Sequence, residues 1–218
     1  MALLTFTAAE RVELEAYMAQ VIAAVDEELD RQLPKVADAD ESRLFEAMRY
    51  CVFAGGKRMR PLLLCATNDA LRGKRRPALR AAAAVECMHT YSLIHDDLPC
   101  MDDDDLRRGK PTCHVKFDEY TAVLAGDGLQ ALAFEILTER ETHPDSTVRC
   151  ALVNTLARAV GPLGMVGGQM IDMQFEHHPE KVGDQGSIAR LQRKKTGALF
   201  SACVEMAMLM NGCNTDEK

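Results

Sequence analysis

The sequence predicts an all-α protein, one domain running from residue 1 to 218. Three observations carry that expectation. Apolar residues recur at helical three- and four-residue spacing through most of the chain. No stretch alternates with period two for long enough to make a sheet. Glycine and proline punctuate these segments at helix-length intervals. With 218 residues, 47% apolar and 27% charged, the chain can bury one sizeable core. It shows no internal repeat, no low-complexity tail and no linker that would divide it.

In chain order, the first helix lies in "AAERVELEAYMAQVIAAVDEELDRQL", where Val12, Tyr17, Val21, Val25 and Leu29 form a stripe and Pro34 ends it. Asp40 or Ser42 is expected to cap a second helix that reaches Phe53 and stops at Gly55-Gly56. Pro61 suits the first turn of a third, which Gly73 closes. Arg75 to Ile94 reads as a long alanine-rich helix. "KFDEYTAVLAGDGLQALAFEILTER" reads as two helices meeting near Gly126 to Gly128. Pro144 to Val160, Gly164 to Glu176 and Gln185 to Met210 supply three more.

Charge and composition exclude several classes. A net charge of -7 disfavours a nucleic-acid partner or an anionic membrane surface. The N-terminus "MALLTFTAAERVEL" lacks the basic and apolar regions of a signal peptide. No apolar run approaches the roughly 20 residues of a membrane span, so no membrane insertion is expected. Eight cysteines without a C-x-x-C pair read as reduced thiols, and the expected location is the cytoplasm.

The chemistry concentrates in "HDDLPCMDDDD", residues 95–105, with six aspartates in eleven residues. A solvated acidic helix end is the plain reading, but like charges this close call for a compensating cation. Magnesium suits them, since it takes one or two carboxylates and fills its shell with water and phosphate oxygens. Calcium is the rival, yet the D-x-[DN]-x-[DN]-G spacing and closing Glu of a calcium loop are absent. On an ideal helix Asp96 and Asp103 share a face and Asp96 and Asp102 do not. Pro99, however, disfavours helix at Leu98, and the chain returning after it can bring Asp102 beside Asp96.

Three basic clusters flank loops: Lys57, Arg58 and Arg60 in "GGKRMRP"; Arg107, Arg108 and Lys110 in "RRGKP"; Arg193, Lys194 and Lys195, with Thr196, in "RKKTG". Each alone reads as solvated surface charge, and none is a Walker loop. Together, arginine forks with magnesium make a diphosphate grip, and several clusters suit two phosphate-bearing ligands. His89 stands two helical turns before Asp96 on the same face; it is either a structural histidine or a ligand contact. His177-His178-Pro179 read as loop. The glycines of "GPLGMVGGQMIDM" allow close helix packing, with Gln169 and Asp172 as polar candidates on one face.

With "FAGGKRMRP", "VECMHTYSLIHDDLPCMDDDDLRRGKPTCHVKF", "AGDGLQALAFEIL", "GGQMIDM" and "KKTGAL" in this order, nearly the whole chain resembles the bacterial short-chain trans-isoprenyl diphosphate synthases, the farnesyl/geranyl diphosphate synthase family. The resemblance implies a helical bundle around a central cavity and a homodimer. It implies condensation of an allylic diphosphate with isopentenyl diphosphate, with Mg2+ as cofactor. By the same resemblance Asp96 and Asp102 hold metal, with Asp97 and Asp103 close by. Lys57, Arg60, His89 and Arg108 grip isopentenyl diphosphate, and Arg107, Lys195 and Thr196 contact the allylic substrate, with Gln169 a further binding candidate. Tyr91 and its neighbour Ser92, just upstream of the aspartates, stand where bulk limits product length. Pro99-Cys100 within the motif favours a farnesyl product.

One departure stands out. The family carries a second D-D-x-x-D motif, and this sequence has no D-D pair outside 96–105. The bundle is therefore expected to be C-terminally truncated, with activity impaired or lost. The competing readings are a non-catalytic helical subunit or fragment that keeps one diphosphate site, and a calcium- or phosphate-binding structural module.

Overall fold

The computed structural model describes residues 6–35, 39–178 and 185–213. Ten α-helices occupy them: α1 (Ala8–Gln32), α2 (Ser42–Val52), α3 (Met59–Ala70), α4 (Arg75–Asp96), α5 (Cys113–Lys116), α6 (Glu119–Thr138), α7 (Ser146–Val160), α8 (Met165–His177), α9 (Gln185–Gln192) and α10 (Ala198–Met210). A π-helical turn, Arg193–Gly197, joins α9 to α10. The expected all-α class holds, with one local exception. Between α4 and α5, β1 (Leu106–Arg107) and β2 (Lys110–Pro111) form a minimal antiparallel hairpin. Its two turn residues, Arg108 and Gly109, both have positive φ (55° and 75°), which matches a two-residue turn to the twist of the strands. Two-residue strands are too short to show alternation, so the sequence carries no periodic signal for them.

Helix α4 is the axis of the bundle and touches α1, α2, α3, α6 and α10. Ala81 to Val85, Cys87 and Met88 are wholly buried, so the helix is covered on all sides. Alanine suits that position because a bare methyl lets neighbouring helices come close. Around it sit large buried side chains, among them Leu64, Leu129, Leu152, Leu156 and Leu199. Each contributes roughly 1.5–3 kcal/mol by its removal from water. All eight cysteines lie among the described residues and none is in a disulfide.

Several boundaries differ from expectation for physical reasons. α1 begins in a capping box: Thr7 Oγ1 accepts from Glu10 N, and the Glu10 carboxylate accepts from Thr7 N. It ends before Pro34, as expected, with Leu33 extended. Neither Asp40 nor Ser42 is the N-cap of α2; Glu41 is, without a side-chain bond, and Ser42 Oγ accepts from Ala39 N instead. After α3 the left-handed residue is Arg72 (φ 57°), and Gly73 follows it. The glycines at 126 and 128 do not split the chain: α6 is continuous, and the bare Cα of Gly126 accommodates the His95 ring of α4. His177 closes α8 rather than lying in a loop, and Pro179 is outside the described residues. The stretch Ser146–His177 contains an 18-residue window of mean hydropathy 1.2, apolar enough by composition to cross a membrane, yet it folds as α7 and α8 with a turn at 161–164 between them.

Close packing through glycine is sharpest at Gly168. A Cβ there would overlap the backbone of Lys194 and Lys195, which cannot swing aside as a flexible side-chain tip can. Gly168→Ala is therefore expected to push α8 off the π turn and lower stability by about 1–3 kcal/mol, measured by urea unfolding. An unchanged midpoint would show that the contact yields freely.

Candidate functional site

Pro99 shapes the acidic end of the site. α4 ends at Asp96, so Asp103 never joins its face. The chain then curls back: Met101 N donates to Leu98 O (2.8 Å) and Asp102 N donates to Asp96 O (2.9 Å). Asp96 and Asp102 are thereby adjacent, as the break at Leu98 predicts. Asp103 follows in a left-handed conformation (φ 52°) and is exposed. Asp97 takes the opposite direction. It is buried, and both its oxygens accept from Arg107 Nε, at 2.6 and 2.9 Å. Arg107 also lies 3.5 Å from Asp104. Neither Asp97 nor Arg107 lines the two large cavities, and Arg107 is engaged by Asp97.

Asp96 opens onto a cavity of about 510 Å3 between α4, α8 and the π turn. One part of its wall is polar: Asp96, Gln169, Lys195 and Thr196. The rest is mostly apolar, with Tyr91, Leu93, Met101, Met165, Met170 and Met173, and with Ser92 and His95 beside them. Gln169 Nε2 donates to Asp96 Oδ1, and Lys195 Nζ lies 3.6 Å from Asp96 Oδ2. Lys195 also donates to Asp172 Oδ2 at 2.5 Å, so the polar pair expected on α8 is split between two partners. Burial, with Asp102 and Asp97 nearby, pushes the Asp96 carboxyl up to about 6 against the pull of Lys195. For Lys195, burial works downward, but the Asp172 hydrogen bond and Asp96 outweigh it and raise the ammonium. A carboxyl held this far from its ordinary value gains from a cation. Two adjacent hard oxygen donors fit magnesium completed by ligand oxygens. Among the described residues no three metal-ligating side chains converge.

A second cavity, about 640 Å3, is basic. Lys57, Arg60, His89 and Arg108, the four residues expected to act together, all line it. The hairpin turn sends Arg108 here, where Nη1 donates to Gly55 O and Gly56 leaves room for its guanidinium. Arg60 and His89 line both cavities, with Arg60 Nη1 3.2 Å from His89 Nε2. The Arg60 guanidinium lies 4.6 Å from the Phe200 ring centroid, and its buried Nε has no partner among the described residues. Burial first, then Arg60, Arg108, Arg107 and Arg58, hold the His89 imidazole at about 3, so it is neutral at pH 7.

Sequence reasoning missed several of these residues. Glu86, buried beneath the second cavity, had a signal: one carboxylate inside "AAAAVECM". Phe200 and the methionines of the first cavity read only as core, because helical spacing cannot separate a cavity wall from a packed interior. His95 touches both the cavity and Val123 O (3.0 Å).

Residues 41–218 match the polyprenyl synthetase family. The chain is 42% identical over 199 residues to farnesyl diphosphate synthase of Haemophilus influenzae, covering 91% of this chain and 66% of that protein. It is 49% identical over 170 residues to farnesyl diphosphate synthase of Escherichia coli, covering 77% of this chain and 55% of that protein. The chain thus spans between about half and two-thirds of the length of these relatives. Among solved structures, an FPP/GFPP synthase from Zymomonas mobilis aligns with TM-score 0.90 and 52% identity, over 94% of this chain and 73% of that one. A geranyltransferase from Legionella pneumophila aligns with TM-score 0.83 and 38% identity, over 89% and 68%.

The His89 environment sets a pH dependence. In the unfolded chain the imidazole takes a proton near its ordinary value of 6.5, whereas the folded protein resists until about 3. Between those values the unfolded state binds more protons, so stability falls as pH is lowered from 6.5. The slope from this one group is on the order of 1 kcal/mol per pH unit. His89→Gln, which keeps an acceptor for Arg60, is expected to make the acid limb shallower in urea titrations between pH 6.5 and 4. Parallel limbs would place the proton elsewhere.

Proposed function

We propose, on the premise that this chain belongs to the polyprenyl synthetase family, that its two cavities are the paired substrate sites of a trans-isoprenyl diphosphate synthase. The observation that carries the reading is their meeting at Arg60 and His89: an apolar cavity with a carboxylate end on one side, a basic cavity on the other. The first takes an allylic diphosphate, dimethylallyl or geranyl, with the hydrocarbon among Tyr91 and the methionines. The second takes isopentenyl diphosphate, held by Lys57, Arg60 and Arg108.

In the reaction the allylic C–O bond breaks and diphosphate leaves with the electron pair. The isopentenyl double bond attacks the cation, a C–C bond forms and a proton is lost. Asp96 and Asp102 would hold Mg2+, which when bound supplies positive charge to the leaving diphosphate. Lys195 and Thr196, beside Asp96, bind the same group, and Lys195 adds a fixed positive charge in a water-poor wall. Gln169 orients Asp96 through its amide. Asp97 fixes Arg107 and with it the base of the hairpin that carries Arg108. Asp103, exposed, lies at the edge of this arrangement. The apolar wall excludes water from the cation. The exposed Val115, Tyr120, Val123 and Leu124 of α5 and α6 form the surface proposed to meet a second copy in a homodimer, and the protein is proposed to act in the cytoplasm.

Turnover by these 218 residues alone is expected to be low. The carboxylates at the acidic end of the apolar cavity come from one side, at the end of α4, and Asp172 on α8 is engaged by Lys195. The same observation favours the second reading, a non-catalytic subunit that keeps a diphosphate site. Labelled isopentenyl diphosphate with geranyl diphosphate and magnesium, assayed in parallel with a full-length relative, separates the two. Turnover matching the relative's would show that one acidic side suffices. Failure to bind either diphosphate would sink both readings.

Tyr91 is 5% exposed at the cavity wall. Tyr91→Ala is expected to strengthen binding of a fifteen-carbon allylic diphosphate relative to a ten-carbon one by about tenfold, a fraction of the roughly 0.8 kcal/mol per buried methylene that five carbons could add. Equal change for both lengths, by calorimetry, would remove Tyr91 as the limit on chain length.

A further inference from the structure

We propose that the buried Arg58–Glu86 ion pair is a positioning device for the basic cavity, one that orients Lys57 and Arg60 toward a single diphosphate. The inference rests on the reading of that cavity as the isopentenyl diphosphate site and deepens it.

Arg58 stands between the two cations of "GGKRMRP" yet behaves unlike either. Its side chain is 2% exposed, and three of its nitrogens are used inside the protein. Nε donates to Asp26 Oδ1 of α1 (2.9 Å), Nη1 to Glu86 Oε1 of α4 (2.7 Å), and Nη2 to the Val52 carbonyl at the end of α2 (2.7 Å). A lysine's three donors share one nitrogen and could not reach acceptors set this far apart on three elements. Three of its five N–H groups are thus committed inside the protein, to three different elements, and although Arg58 also lines the basic cavity its guanidinium is fixed from behind. Its work is done on the loop.

That loop needs an anchor. Gly55, Gly56 and Arg58 have φ of 100°, 138° and 47°, so three of four successive residues are left-handed. For arginine this conformation is unfavourable and persists only when surroundings hold it. Arg58 is also the N-cap of α3, and its carbonyl accepts from Leu62 N at 2.8 Å. The residue the ion pair pins is therefore the one from which α3 starts, and Arg60 projects from that first turn. On the other side of the pair, Glu86 lies three residues before His89 on α4, one helical turn away on the same face. Glu86 is 2% exposed and lines the cavity that Lys57, Arg60 and Arg108 also line. The pair thus keys the loop's register to His89, which meets Arg60.

A rival account makes Glu86 only a counter-charge that quiets repulsion among the cations. The double variant Arg58→Met with Glu86→Leu separates the two, because the pair sums to zero and its removal leaves the cavity's net charge unchanged. Replacing a buried ion pair by apolar side chains commonly leaves a protein folded. Isothermal titration of the 218-residue chain uses isopentenyl diphosphate for one cavity and, with magnesium, a non-ionising geranyl thiolodiphosphate for the other. The double variant is expected to bind isopentenyl diphosphate at least tenfold more weakly and the thiolodiphosphate within twofold of the parent. Arg58→Lys, which keeps the charge and Glu86, is expected to fall between, and it decides in the same two titrations if the double variant does not fold. Unchanged isopentenyl diphosphate binding, or an equal loss of both ligands, overturns the positioning role. Lys57→Ala checks the site reading separately: if it binds isopentenyl diphosphate like the parent, the cavity has been misassigned and the inference falls with it.

Discussion

Because α4 is covered on all sides, each charged group it carries has to be met by a group from another element, or it would stand as an uncompensated charge in a poor solvent. Along the helix this requirement is met in turn. Arg80 bonds Thr142 Oγ1 and lies 3.6 Å from Glu28. Glu86 takes Arg58. His89, kept neutral, meets Arg60. Asp96 takes Gln169 and Lys195, and Asp97 takes Arg107. The partners come from α1, the α2–α3 loop, α3, the α6–α7 loop, α8, the π turn and the hairpin. Bringing these elements to α4 builds the walls of both cavities, so core satisfaction and site assembly are the same event here.

The two cavities differ in electrostatic character because of where on α4 they open. Mid-helix, the surrounding cations outnumber Glu86, and the space at Lys57, Arg60 and Arg108 favours an anion. At the C-terminus the helix dipole adds negative charge to Asp96, Asp97 and the returning Asp102. Burial there raises Asp96 to about 6, which leaves it poised to gain from any cation placed between it and a phosphate oxygen. An anion can therefore bind the first region directly and the second only in company with positive charge, which Lys195 supplies in part.

Much of this was legible in the sequence where the signal is local. Helical periodicity gave the class. The effect of proline on its predecessor located the break after Asp96 and the return of Asp102. The basic clusters were visible as clusters, but the grouping of Lys57, Arg60, His89 and Arg108, which together line the basic cavity, came from the family resemblance. What escaped notice depends on tertiary partners. Gly126 and Gly128 look like breakers in one dimension, yet Gly126 is the clearance for the His95 ring and α6 runs through. That Asp97 and Arg107 pair with each other is likewise visible only in the fold. Glu86 was visible as an isolated carboxylate among alanines, but its meaning waited on Arg58 folding back from another loop.

The hairpin shows how neighbouring residues come to do different work. Arg107 closes β1 and points to Asp97, whereas Arg108 occupies the left-handed first position of the turn and reaches Gly55 O. A left-handed arginine costs about 1–2 kcal/mol relative to an ordinary conformation. That strain is offset by the buried Asp97–Arg107 pair, which holds the hairpin base, and by the glycine at 109 that completes the turn. A second left-handed arginine, Arg58, stands opposite at the far side of the same cavity, anchored by Glu86. The basic cavity is therefore lined by two left-handed arginines: Arg58, held directly by Glu86 of α4, and Arg108, whose hairpin base is held through Arg107 by Asp97, the residue that caps α4.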